Sequence, residues 1–220
     1  MVGRWINLIS CCLLLGAVLV AAQADPLEFK RPALDAPLAK PNPSVPTMSD
    51  AEMASAIRQL RTKWLQMPIS GIDPSILKGW FGQKRGERNH GAADIMAPRH
   101  TPVLAVEDGR IARLWTSKAG GTTIYQYDPS GTFVYYYAHL QRYADGLKDG
   151  ANIKKGQVIG YVGSSGNAPP DAPHLHFSIS KLTKPNGWST GIPIDPYEVF
   201  RGTGISGKRM APVPPPGIWL

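Results

Sequence analysis

Cysteine is almost absent from the chain, so a fold stabilised by a disulfide framework is excluded. The 220 residues include 2 cysteines, Cys11 and Cys12, and both lie in an N-terminal apolar run. This run, residues 5–22, ends at the small-residue sequence Ala22-Gln23-Ala24 and predicts a secretory signal peptide over residues 1–24. Because the run is about 18 residues long, an uncleaved membrane anchor is the alternative. In either case we expect the rest of the chain to be exported, into a compartment where disulfides are common.

Acidic residues are also fewer than basic ones. Asp and Glu number 16 against 24 Lys and Arg, which gives a formal net charge of +8. Such a balance favours anionic partners, and nucleic acid, an anionic membrane and an anionic cell-wall polymer all fit it. Charge therefore indicates the sign of the partner without identifying it.

Long helical segments are scarce because glycine and proline interrupt the chain. The sequence has 23 Gly and 21 Pro, a fifth of its residues, which argues against an all-helical fold. An apolar fraction of 43% and a charged fraction of 18% exclude a disordered chain. One exception is the stretch from Ser49 to Glu52, which fits a capping box and precedes apolar residues at helical spacing. We therefore expect an amphipathic N-terminal helix in residues 49–67.

Beyond this helix the sequence consists of short apolar runs that alternate with polar residues and are separated by Gly, Asp-Gly and Pro. Strands at such spacing are typical of an antiparallel β-sandwich or open barrel. We expect a mainly β domain of this barrel-sandwich-hybrid-like class over residues 68–200, between a Pro-rich spacer (25–48) and a Pro-rich tail (201–220). The predicted strands are 101–106, 109–115, 122–128, 132–139, 157–162 and 174–180.

Histidine carries the candidate chemistry, since four of the 5 histidines fall in three short motifs. His174 and His176 are two residues apart, so on a strand their side chains point to the same face and can share one site. His90 and Asp94 would lie about 13 Å apart on a straight strand, and the glycine that follows His90 predicts a tight turn that brings them together. His139 stands alone in the third motif. Spacing does not decide which of His174 and His176 would bind a metal ion.

Two imidazoles and one carboxylate form a donor set that suits Zn²⁺ and leaves a fourth position for water. An ion bound in this way lowers the pKa of its water to about 7 and polarises a carbonyl group, which is the chemistry of hydrolysis. Histidines beside such a site can accept the proton of the water and stabilise an oxyanion. The pattern indicates a metal-dependent hydrolase, and the alternative is a set of ordinary half-buried histidines on strands.

Six ordered motifs are spread over residues 68–200. They are His90-x-x-x-Asp94-Ile95, Gly109-Arg110-Ile111, Tyr137-Ala138-His139-Leu140, Lys155-Gly156-Gln157-Val158-Ile159-Gly160, Gly163-Ser164-Ser165-Gly166 and His174-Leu175-His176-Phe177. Together these motifs resemble the lysostaphin/LytM-type zinc endopeptidases, which cut peptide cross-links in bacterial peptidoglycan. The resemblance implies that His90, Asp94 and His176 are the zinc ligands. It also implies that His139 and His174 are the catalytic pair that positions the water and handles its proton.

Two positions depart from the pattern of that family. Gly91 follows the first ligand directly, where similar sequences often have glycine one residue later, and His100 stands where they often have glycine. Neither is a ligand position, and we expect His100 to lie in a surface turn. Arg85 and Arg88 could line a substrate groove, but we expect them to be solvated and leave them outside the site. The same alternative applies to three tyrosines that we expect to pack within strands, also outside the site: Tyr125, Tyr135 and Tyr137.

The resemblance implies a secreted zinc-dependent endopeptidase that hydrolyses peptide bonds in peptidoglycan stem peptides or cross-links. Its partner would be peptidoglycan rather than nucleic acid, its cofactor one Zn²⁺ per chain, and its membrane contact confined to an uncleaved signal segment. The expected location is the periplasm of a Gram-negative cell, with the extracellular medium as the alternative. Two other functions stay open. One is a non-catalytic regulator of cell-wall hydrolases with the same fold, and the other is a binding module, since residues 148–160 also look like half of a biotinyl or lipoyl domain.

Overall fold

Antiparallel β-strands are the main regular structure of the computed structural model, which describes residues 47–201. The helices are α1 (Asp50–Thr62), a short 3₁₀ helix (Pro74–Leu77) and α2 (Pro196–Phe200). The strands are β1 (Lys84–Arg85), β2 (Arg88–Asn89), β3 (Ala93–Met96), β4 (Pro102–Leu104), β5 (Gly109–Ser117), β6 (Gly121–Tyr127), β7 (Phe133–Tyr143), β8 (Asn152–Ile153), β9 (Val158–Val162), β10 (His174–Leu182) and β11 (Gly191–Ile194).

Nine of these strands form one sheet, and β1 with β2 forms a separate two-stranded hairpin. The order in the large sheet is β11-β10-β7-β6-β5-β8, with β3 added to β10, β9 added to β7, and β4 added to β9. Each of these pairs is antiparallel. The described strands do not close into a barrel, and the predicted mainly β, antiparallel, open architecture with an N-terminal helix is confirmed.

Strand β7 connects two parts of the large sheet. Residues 133–138 pair with β10, whereas residues 140–143 pair with β9. The pairing register with β6 shifts between Thr122 and Ile124, and the register with β9 shifts between Leu140 and Arg142. Such β-bulges bend a strand and increase its twist, so β7 changes direction close to His139.

Apolar and polar side chains alternate along β10, so that one face of the strand packs in the core and the other face is polar. Leu175, Phe177 and Ile179 are fully buried among the apolar residues of the core. Successive side chains of a strand point to opposite faces, so His174 and His176 lie on the other face. Full burial of one large apolar side chain contributes about 1.5–3 kcal/mol. The core residues of β10 therefore fix the face on which these histidines lie.

The predicted N-terminal helix is present, but it ends earlier than expected. Ser49 and Glu52 form the capping box, with the Ser49 N–H donating to Glu52 Oε2 over 2.8 Å. The helix α1 stops at Thr62 rather than 67, because Trp64 adopts a φ of 52° and the chain then turns towards the sheet. There the Gln66 N–H donates to the carbonyl of Val106 over 2.9 Å. The boundary of 49–67 was wrong at its C-terminal end.

A buried polar network attaches the end of α1 to the sheet. Lys63 Nζ lies 2.8 Å from Glu107 Oε1 and 3.0 Å from Asp128 Oδ2. Burial alone would lower the pKa of Lys63, but these two hydrogen bonds outweigh it and raise the pKa. The Tyr135 hydroxyl donates to the second Glu107 oxygen, and burial together with that carboxylate raises the pKa of Tyr135. The helix is therefore an integral part of the β domain.

All six predicted strands are present, with ends that differ by a few residues. The prediction did not include the strands β1, β2, β3, β8 and β11. These have only two to four residues each, too few for a period of two to be recognised. The predicted signal peptide (1–24), most of the spacer (25–48) and the tail beyond residue 201 lie outside the described residues. Within residues 47–201, no helix combines the length and the apolar character needed to cross a membrane.

We expect Lys63→Met to destabilise the protein by about 2 kcal/mol, because it leaves the buried carboxylates of Glu107 and Asp128 without their cation. The change in the free energy of unfolding can be measured by urea denaturation. Lys154→Met is the matched control, since Lys154 pairs with Asp108 at the surface, and exposed pairs contribute little. Equal stabilities of the two variants would show that the network does not hold α1.

Candidate metal centre

Pairing of β3 with β10 brings a carboxylate next to a histidine. Asp94 of β3 lies directly opposite His176 of β10 in the antiparallel register. His90 follows the β1–β2 hairpin, and Gly91 turns the chain back with a φ of 68°. A residue with a Cβ is strained at that angle, whereas glycine is not. The predicted turn between His90 and Asp94 is therefore present.

Three ligand atoms form a nearly equilateral triangle. His90 Nε2 lies 3.0 Å from His176 Nδ1 and 3.2 Å from Asp94 Oδ1, and His176 Nδ1 lies 3.0 Å from Asp94 Oδ1. Ligands bound tetrahedrally at about 2.0–2.1 Å from an ion lie roughly 3.3 Å from one another. The triangle is close to that size, and its two nitrogen atoms and one oxygen atom are a suitable donor set. These residues could hold a small metal ion.

Neighbouring groups orient the three ligands. His90 Nδ1 lies 3.2 Å from the Trp80 carbonyl oxygen, which can only accept a hydrogen bond. The proton is therefore on Nδ1, and the lone pair of Nε2 points into the triangle. Burial lowers the pKa of His176 despite the opposing effect of Asp94, and a lowered pKa favours the neutral imidazole that binds a metal ion.

Arg85 holds the carboxylate of Asp94. Its Nη2 lies 2.7 Å from Asp94 Oδ2, which leaves Oδ1 for the two histidines. Burial alone would raise the pKa of Asp94, but the hydrogen bonds with His176 and His90 hold it well below its usual range. The expectation that Arg85 is merely solvated was wrong. The signal that could have corrected it is the two-residue Gly86-Glu87 turn, which predicts a tight hairpin close to the ligands.

The other two predicted residues lie beside the triangle. The rings of His139 and His174 have centroids 4.9 Å apart, and the centroid of His139 is 5.7 Å from that of His176. His174 Nε2 lies 3.9 Å from Asp94 Oδ1. All five predicted site residues are therefore brought together.

Backbone carbonyls fix the tautomers of His139 and His174. His139 Nδ1 donates to the Ser165 oxygen and His174 Nδ1 donates to the Ala172 oxygen, each over 2.8 Å. Nε2 of each ring is consequently the acceptor. Burial lowers the pKa of His139 to about 4. At neutral pH this ring is therefore uncharged, and its Nε2 can accept a hydrogen bond.

An aromatic row continues along the sheet from His176. The ring centroid of Tyr136 lies 5.9 Å from that of His176 and 4.5 Å from that of Tyr125. Trp188 packs on Tyr125 at 4.7 Å, and Trp115 lies 6.0 Å from Trp188 and is 44% exposed. The prediction did not include this row, because its members come from three strands and a loop.

The remaining aromatic and histidine expectations are met. Tyr135 and Tyr137 are fully buried in the core. Tyr125 packs on the sheet as expected, although it belongs to the aromatic row. His100 is exposed in a turn with a φ of 69°.

We expect Arg85→Ala to weaken divalent metal binding by about 10- to 100-fold, because Asp94 loses the group that orients it. Titration with Co²⁺, followed by its visible absorption, would measure the affinity. Arg88→Ala is the control, since Arg88 lies opposite Arg85 in the same hairpin and is exposed. Unchanged affinity in Arg85→Ala would contradict the role given to Arg85.

Comparisons with known proteins identify the family and several relatives. Residues 88–196 match the family described as Peptidase family M23. The chain is 37% identical over 121 residues to the L-Ala--D-Glu endopeptidase of Bacillus subtilis (strain 168), an alignment that covers 53% of this chain and 36% of that protein. It is 35% identical over 117 residues to the glycyl-glycine endopeptidase ALE-1 of Staphylococcus capitis, which covers 53% of this chain and 30% of that protein. The chain thus spans about a third of the length of these curated relatives.

A solved structure of the antimicrobial peptidase lysostaphin from Staphylococcus simulans is 31% identical in sequence, with a TM-score of 0.48, and the match covers 62% of this chain and 54% of that one. The family match includes all five residues of the site. The resemblance seen in the sequence motifs is confirmed, and residues 88–196 form a domain of peptidase family M23.

Proposed function

We propose that this protein is a zinc-dependent endopeptidase that hydrolyses peptide bonds in the stem peptides or cross-links of bacterial peptidoglycan. The observation that carries the proposal is the triangle of His90, Asp94 and His176 with two further histidines beside it. Each of those two, His139 and His174, has its Nδ1 proton committed to a carbonyl and its Nε2 lone pair available. Three ligands and two proton acceptors are the parts that metal-assisted hydrolysis requires.

Zinc is the proposed metal because of the donor set. Imidazole nitrogen suits Zn²⁺, whereas Mg²⁺ and Ca²⁺ prefer sites built from oxygen atoms. Three protein ligands leave a position open, which distinguishes a catalytic from a structural zinc site. When bound, the ion would supply an acidified water and a polarised scissile carbonyl.

The two flanking histidines are assigned to proton transfer and to orientation of the attacking water. We assign His174 as the general base, because its Nε2 lies near Asp94 Oδ1 and is an acceptor as long as Nδ1 donates to the Ala172 carbonyl. Once protonated at Nε2, it can give the proton to the leaving amine. His139 is neutral and also accepts at Nε2, so it can orient the attacking water through a hydrogen bond. The alternative role, stabilising the oxyanion of the tetrahedral intermediate, requires the proton of the attacking water to pass to Nε2 of His139 instead of His174.

Peptidoglycan is the proposed substrate because of the family and the charge. The two relatives named above are, by their names, endopeptidases that act on L-Ala–D-Glu and on glycyl-glycine bonds. Both are peptide bonds, although the residues that they join differ. The net charge of +8 fits an anionic wall polymer. Together with the predicted signal peptide, this supports a location in the cell envelope, and we propose the periplasm as the compartment, with the extracellular medium as the alternative.

We expect the purified protein to contain about one Zn²⁺ per chain and to release peptides from isolated cell-wall sacculi. His139→Ala should retain the zinc and lose the release, because His139 is outside the ligand triangle. His90→Ala should lose both zinc and release. His100→Asn is the matched control, since His100 is exposed and Asn tolerates a positive φ, and it should behave as the wild type.

Metal analysis and mass spectrometry of the released peptides distinguish the competing functions. Wild-type protein that binds no metal would refute the catalytic proposal. Protein that binds zinc but cuts no wall peptide would favour the non-catalytic regulator, and protein that binds the wall without changing its peptides would favour the binding module. Sacculi of defined cross-link chemistry identify the bond that is cut.

A further inference from the structure

His139 adopts an unusual backbone conformation. Its φ is 60°, although it is not a glycine and lies within β7. Its N–H leaves the regular ladder and donates to the carbonyl of Gly120 over 2.8 Å. Residues with a Cβ adopt such angles only when their surroundings impose them. Some neighbouring group must therefore hold this segment in place.

Ser165 contacts the segment on both sides. Its hydroxyl donates to the Leu140 carbonyl over 2.7 Å and accepts from the Thr122 N–H over 2.9 Å. Thr122 and Leu140 are cross-strand partners in β6 and β7, next to His139. A single side chain thus bridges the two strands at the bulge. Its own backbone oxygen accepts the Nδ1 proton of His139 over 2.8 Å.

Close packing fixes the position of Ser165. A Cβ added to Gly121 would clash with Ser165 Oγ, and one added to Gly166 would clash with the Ala119 carbonyl oxygen. Asn167 also donates its N–H to that oxygen over 3.0 Å. The loop that carries Ser165 is therefore pressed against the turn between β5 and β6.

We propose that Ser165 is a positioning residue for His139. Its hydroxyl holds the β6–β7 bulge that gives His139 its backbone angle, and its carbonyl selects the tautomer with the proton on Nδ1. Nε2 of His139 is thereby kept as an acceptor beside the metal ligands. The effect of Ser165 on catalysis rests on the proposed function, whereas its effect on the tautomer of His139 does not.

The chain offers a matched control in the preceding residue. Ser164 Oγ accepts from Arg99 Nη2 over 2.6 Å, and the same Arg99 atom donates to the Pro170 carbonyl over 2.9 Å. Ser164 therefore belongs to the same loop and is also hydrogen-bonded, but its partners are Arg99 and Pro170 rather than His139 or the two residues of the bridge, Thr122 and Leu140. Ser164→Ala removes a loop hydrogen bond without touching the bridge.

The test compares Ser165→Ala with Ser164→Ala in the full chain. We expect Ser165→Ala to reduce kcat for wall-peptide release by roughly 10- to 100-fold, because catalysis is sensitive to small misplacements, with KM and zinc content unchanged. Ser164→Ala should keep the wild-type kcat. Ser165→Thr retains a hydroxyl and should recover most of the lost kcat. Equal losses in the two alanine variants, or a folded threonine variant as slow as Ser165→Ala, would overturn the proposal.

A spectroscopic measurement tests Ser165 without relying on activity. In ¹⁵N-labelled wild-type protein, His139 should give a slowly exchanging Nδ1–H signal and nitrogen shifts of a single neutral tautomer. Ser165→Ala should exchange this proton faster and mix the tautomers, while Ser164→Ala should keep the wild-type signal. An unchanged signal in Ser165→Ala would overturn the proposal. If the wild-type protein cuts no wall peptide, the proposed function fails, and this measurement still decides the role of Ser165.

Discussion

Antiparallel pairing between β3 and β10 determines where the candidate metal ligands lie. The register places Asp94 opposite His176 and Ile95 opposite Leu175. Leu175 and Ile95 are fully buried, and a slip of one residue would move every side chain of a strand to the other face. Burying several such side chains is worth several kcal/mol, at about 1.5–3 kcal/mol for each. Hydrophobic burial on one face of the strand thus fixes the positions of Asp94 and His176 on the other face. Interactions between the two ligands are not needed to set the register.

The functional side chains share one means of orientation. His90, His139 and His174 each direct Nδ1 at a backbone carbonyl, belonging to Trp80, Ser165 and Ala172 respectively. A carbonyl can only accept, so each contact selects one tautomer and one ring orientation. Asp94 receives the corresponding support from the guanidinium of Arg85. Because these carbonyls belong to the backbone, substitution of a side chain does not remove them directly. The tautomers of the three histidines therefore depend on the conformation of the segments that carry Trp80, Ser165 and Ala172.

Much of this arrangement could be predicted from the sequence, and the failures have identifiable physical causes. The alternating strands and the capping box are local signals, and they predicted the fold class and the start of α1 correctly. The end of α1 was missed, because the positive φ of Trp64 follows from packing at the sheet. The family motifs predicted which five residues come together. The contacts of Arg85, of Ser165 and of the aromatic row were not predicted, since they join residues that are distant in sequence or lie in elements too short to show a period.

The hairpin β1–β2 has a further consequence for the ligands. It is a separate two-stranded sheet outside the nine-stranded one, and it carries Arg85 and leads into His90, whereas His176 belongs to the large sheet. Small elements with few buried contacts open at a lower free energy than the core of a domain. Local opening of the hairpin would separate His90 and Arg85 from the ligands on the large sheet while the core stays folded. Such opening would let a bound ion exchange without global unfolding, and occupancy of the site would in turn order the hairpin.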